Sequence, residues 1–291
     1  TVADMATQEF QWSRSLVSLF LTHSLPYVRR MPWPLRAQFL FCQLFYVAFA
    51  LSLLSMYLSP IVAVLTDRVY VDVTFPAYAL HTTPTVVVLV AIAWMIRADG
   101  LFRPLEGKIF GWEKMLFVLL QWPWVLAGVI MAVRDRLTGR FVDFRITPKG
   151  EAARGRLPFR MLAAYGGLAL GAILPVLAVP RLQTAAGFYM LSLVNGAFYL
   201  LILTITVLRH FLETGWPQGR RWFEAARQTG VVVLVAALFF VGVRDRLMPS
   251  LFSLSEGLAP IQILRAQAVV SGAANGDERP LVYFFDFAIL D

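Results

Sequence analysis

Four side chains near the N-terminus have types suited to carbohydrate and phosphate chemistry: Gln8, Gln11, Trp12 and Arg14, all within two helical turns. An indole face covers the apolar face of a pyranose ring, and its N–H donates a hydrogen bond. A guanidinium grips phosphate. The same residues also suit a membrane-surface helix, with Trp12 as a headgroup anchor. A second set lies downstream in RFVDFRITPKGE, residues 140–151. In an extended segment Phe144 and Ile146 face one side. Lys149 then supplies a point charge for phosphate and Thr147 a hydroxyl. On chemistry alone the plainer reading of this set, a solvated basic loop held by lipid headgroups, is preferred.

The elements that must position these residues follow from composition. The chain has 291 residues, of which 58% are hydrophobic, and a mean hydropathy of +0.66. Several apolar runs approach the ~20 residues that cross a bilayer, so this is an integral membrane protein. Residues 7–22 read as an amphipathic helix, with Phe10, Leu16, Val17, Phe20 and Leu21 on one side. Pro32 and Pro34 break it. Spans are expected at 35–65, 79–96, 161–179 and 187–208, and a shorter fifth at 230–243. The tail from Arg244 is mixed, and PLVYFFDFAIL reads as a strand. The fold class is therefore all-α: a polytopic transmembrane bundle with interface helices and a short mixed tail. Three regions are expected: 1–34 as the interface segment, 35–243 as the membrane domain with a loop at 137–156, and 244–291 as an extracytoplasmic, truncated tail. The chain opens on Thr1 with no signal-peptide pattern, and is expected to be part of a longer one.

Charge sets the sidedness. Formal net charge is +8. In residues 134–160, Arg134, Arg136, Arg140, Arg145, Lys149, Arg154, Arg156 and Arg160 face only Asp135, Asp143 and Glu151. Residues 66–78 carry Arg68 against Asp67 and Asp72. The positive-inside rule places the first stretch in the cytoplasm and the second outside. Parity then asks the apolar stretch 115–133 to lie in the interface, with Gln121, Trp122 and Trp124 near headgroups. The competing reading is a true span. Nucleic-acid binding would need a basic soluble domain, and none is visible. The one cysteine, Cys42, rules out an internal disulfide, and His23, His81 and His210 lack metal-ligand spacing.

The order of these features resembles the membrane half of processive family-2 glycosyltransferases, the cellulose synthase group. Gln8-Glu9-Phe10-Gln11-Trp12 matches its Q-x-x-R-W motif except at the arginine, and Phe144-Arg145-Ile146-Thr147-Pro148-Lys149 matches its F-x-V-T-x-K gating motif with Ile for Val. The resemblance covers residues 7–209. It implies that Trp12, with Gln8, holds the sugar acceptor. It implies diphosphate contacts at the position of Gln11, which carries no charge, so Arg14 is expected to take part of that work. Phe144, Ile146, Thr147 and Lys149 would form the gating loop. The catalytic aspartates and a divalent metal, Mg or Mn, would lie outside this segment. The implied partners are a nucleotide sugar such as a UDP-sugar, a polysaccharide chain, membrane lipids and an extracytoplasmic export partner. The implied location is the cytoplasmic (inner) membrane, and the implied product a β-glucan-like polymer. A chitin- or hyaluronan-type synthase, and a non-enzymatic transporter or scaffold, remain open.

The first span fits translocation. Gln38, Cys42, Phe45, Phe49, Ser52, Met56 and Ser59 recur at four- and three-residue steps and share one helix face. Gln38, Phe45, Phe49 and Ser52 are the expected channel-lining residues. Ordinary helix packing through small and polar residues explains the same face equally well.

Overall fold

A computed structural model describes residues 2–70, 73–139, 157–214, 221–258, 264–268 and 281–286. The described chain is helical except for one strand pair. In order, the helices are α1 (Val2–Leu19), a π-helical turn (Phe20–Ser24), α2 (Leu25–Val28), α3 (Trp33–Thr66), α4 (Phe75–Ala98), α5 (Trp112–Thr138), α6 (Phe159–Ala178), α7 (Phe188–Thr214) and α8 (Arg221–Ser255). Strands β1 (Leu264–Ala268) and β2 (Leu281–Phe285) pair antiparallel, Leu264 opposite Phe285 and Ala268 opposite Leu281.

Five of these helices are long and apolar enough to cross a membrane: α3, α4, α5, α6 and α7. The fifth helix with the length and composition to cross is α5, and the stretch 230–243 is not among them. That stretch is the middle of α8, and at 1.5 Å per residue it is only about 21 Å long. The stretch lies within a single 35-residue helix. Helix α1 also starts earlier than expected, at Val2.

The chain forms two compact units. The first holds Thr1–Ser59, Trp112–Gly171 and Asn195–Ala237. On α3 its buried positions Gln43, Ala50 and Tyr57 repeat every seven residues. Lipid gives little hydrophobic drive between helices, so close packing and interhelical hydrogen bonds hold this unit. Tyr57 donates to the Leu168 carbonyl at 2.7 Å, and a Cβ on Gly171 would come within 2.7 Å of the same hydroxyl. Trp122 Nε1 donates to Tyr199 Oη. Trp124 Nε1 donates to Tyr165 Oη at 2.8 Å, and that hydroxyl donates to the Leu120 carbonyl at 2.8 Å. These bonds fasten α5 to α6 and α7.

The second unit holds Pro60–Gly111, Ala172–Val194 and Leu238–Asp291. Val64, Val176, Tyr189 and Leu193 form its core, with Phe239 and Val243 against it. Helix α4 buries no residue. Its His81, Thr82 and Thr83 bond back to carbonyls of their own helix, which satisfies them without a neighbour. Asp67 staples this unit together. At a φ of 47°, its carboxylate accepts from the backbone N–H groups of Gln183, Thr184 and Ala185 at 2.9–3.0 Å. Burial pushes this carboxyl up, but these bonds and the Thr184 hydroxyl outweigh burial and hold it below the usual carboxylate value. The folded form therefore binds protons less readily than the unfolded one. The stabilisation is present above the ordinary carboxylate pKa, and is lost as pH falls through the lowered folded value. Asp67→Ala is expected to lower the thermal midpoint at neutral pH, and the gap to wild type should close in acid. Unfolding scans in detergent across pH check both.

Candidate functional site

Helix α1 sits on α5 at very short range. A Cβ on Gly128 would overlap Ser13 Oγ and lie 2.5 Å from the Phe10 carbonyl oxygen. Only small residues allow this approach. The buried residues of α1 are Ala6, Glu9, Gln11, Ser13, Arg14 and Val17. Of the five apolar residues expected to share one side, Val17 is buried and Phe10, Leu16, Phe20 and Leu21 are half-buried. Ser13 Oγ bonds back to the Glu9 carbonyl at 2.8 Å, so its hydroxyl needs no other partner. Burial pushes the Glu9 carboxyl above its ordinary value.

This packing divides the candidate residues into two sets. Gln8 and Trp12, one turn apart, share the exposed face of α1, and Trp12 is 46% exposed. Gln11 and Arg14 are buried. Arg14 Nε donates to Asp135 Oδ2 at 2.7 Å, and Nη2 lies 2.5 Å from the same oxygen. The expected acceptor pair thus stands together in the open. Of the expected diphosphate pair, Arg14 is bonded to α5 and Gln11 is buried.

On α3 the four expected channel residues lie away from the buried 43–50–57 stripe. Gln38, Phe45 and Ser52 are exposed and Phe49 is half-buried. The Phe45 and Phe49 rings stack, with centroids 5.9 Å apart and planes 18° apart, and Phe41 follows at 6.1 Å from Phe45. Cys42 is exposed on the same face. The gating-loop residues Phe144, Ile146, Thr147 and Lys149 lie outside the described residues. Among the described residues no group of three or more His, Cys, Asp or Glu is placed to hold a metal ion.

Sequence reasoning missed Gly128, Asp135, Thr7 and Arg160 as parts of this site. Gly128 reads as one more small residue in an apolar run, and Asp135 as one acid among many basic residues. The available signal was their pairing: a serine in a polar helix needs a glycine to pack this closely. Comparison with protein-family models, curated proteins and solved structures gives no match.

Proposed function

We propose that this chain is the acceptor-holding, gating and translocating part of a membrane polysaccharide synthase. The enzyme transfers sugar from a nucleotide-sugar donor to a β-glucan-like polymer and exports it. The observation that carries the reading is the exposed Gln8–Trp12 face on a helix whose other side is locked against α5. An indole held on a rigid helix is a preorganised stacking surface, and rigid placement saves ordering cost on binding. The stacked Phe45 and Phe49 rings offer further sugar-sized apolar faces on α3. Residues 137–156, with the F-x-I-T-x-K sequence, are assigned the gating role by resemblance. Catalytic carboxylates and metal are assigned to sequence outside the chain.

The test is incorporation of radiolabelled sugar into polymer by membranes bearing the natural full-length protein. UDP-glucose, UDP-N-acetylglucosamine, and UDP-N-acetylglucosamine together with UDP-glucuronate are supplied in separate reactions. Incorporation from the first supports a glucan, and from the others a chitin- or hyaluronan-type product. None from any donor favours a transporter or scaffold.

The reading also needs α5 to lie in the interface. In support of that placement, α1 rests on α5 and carries Gln8, Glu9 and Arg14, which are costly in hydrocarbon. Single cysteines placed at Glu113 and at exposed Leu137, in a Cys42→Ser background, should both label from the cytoplasmic side. Labelling of position 137 from outside would mean that α5 crosses, and the gating assignment would fail.

A further inference from the structure

We infer that Arg14 and Asp135 are a positioning pair that fixes the Trp12 face of α1 on α5, and that Arg14 does not bind the donor diphosphate. The inference rests on the synthase reading above. Both side chains are largely buried, 9% and 15% exposed; Asp135 Oδ2 accepts from Arg14 Nε at 2.7 Å and lies 2.5 Å from Nη2. The guanidinium also lies over the Phe10 ring at 6.0 Å. A phosphate at Arg14 would compete with Asp135 for a buried guanidinium, and pulling the pair apart would leave that carboxylate buried and unpaired, which is costly. A second contact holds the other end of the same face. Arg160, at the start of α6, donates to Thr7 Oγ1 at 3.3 Å and lies over the Trp124 ring at 6.0 Å. Thr7 and Arg14 are about 10 Å apart along α1, and Gln8 and Trp12 fall between them. The exposed face is thus held at both ends, and Ser13 packs on Gly128 beside Arg14.

The pair is tested by charge exchange in the natural full-length protein: Arg14→Asp, Asp135→Arg and the double variant. Thermal midpoints in detergent and steady-state kinetics are measured for each. Each single variant should lower the midpoint and cut kcat for sugar incorporation by about tenfold or more, since small misplacements of reacting groups are expensive. Donor KM should stay within about twofold of wild type. The double variant should recover much of both midpoint and kcat. Two results overturn the inference. A double variant whose midpoint recovers while kcat does not, with donor KM or diphosphate inhibition weakened about tenfold or more, would place Arg14 on the donor. Midpoints that show no recovery would mean that the pair does not form. If wild type incorporates no sugar at all, the synthase reading fails and the positioning role falls with it. The midpoints then still report separately whether the pair exists.

Discussion

Trp12→Ala is expected to remove most polymer formation while the protein still folds and inserts. Stacking of a planar ligand on an aromatic side chain is worth about 1–3 kcal/mol in the related base-stacking cases. That alone is roughly 5- to 150-fold in rate or affinity. An acceptor end that is no longer held at reacting distance loses more, because misplacement by about 1 Å can cost on the order of a hundredfold. Folding is spared because Trp12 lies on the open side of α1, and its removal leaves no cavity in the packed interface. Trp12→Phe keeps an apolar face and loses the N–H, so it should retain intermediate activity. Incorporation of labelled sugar by Trp12→Ala at close to the wild-type rate would reduce Trp12 to a headgroup anchor.

The membrane helices were legible because hydrocarbon imposes a minimum length. α3, α4, α6 and α7 each hold an apolar run near that length, and their ends fall where charged or helix-breaking residues begin. On α3 positions 43, 50 and 57 face inward, and the Gln38–Phe45–Ser52 side lies opposite. Helix α8 was not legible, because Arg244-Asp245-Arg246 reads as the end of a span. In the fold Arg244 donates to Asp245 at 2.8 Å, and Arg246 lies over the Tyr189 ring at 5.5 Å, so the helix runs through them. The inner face of α1 was hidden for a different reason. Hydrophobic periodicity finds the side that packs through large apolar groups, whereas α1 packs through Ser13, Ala6 and a buried ion pair. That choice depends on a glycine more than a hundred residues away.

Gly128→Val is the substitution that should separate α1 from the rest of the protein. Its first methyl-bearing carbon would overlap Ser13 Oγ, meet the Phe10 carbonyl at 2.5 Å and lie 3.1 Å from the Arg14 backbone nitrogen. Two of these three are backbone atoms, which cannot rotate away, so the whole helix must move. Overpacking in a tight interface typically costs about 1–3 kcal/mol. Displacing α1 would also strain the Arg14–Asp135 pair. The contacts of Trp122 and Trp124 with Tyr199 and Tyr165 lie one to two turns away on α5, so the bundle should keep its own thermal transition. Expected together are loss of polymer formation, new protease sensitivity within residues 2–19 and an intact membrane core. A graded series sharpens the test. Gly128→Ala should be milder than Gly128→Val, and Ser13→Gly should relieve Gly128→Ala only in part, because it removes the Oγ contact and leaves the Phe10 carbonyl in place. Wild-type incorporation together with unchanged proteolysis in Gly128→Val would mean that α1 does not rest on α5 in the working protein. The rigid stacking surface at Trp12 would then have no support beneath it.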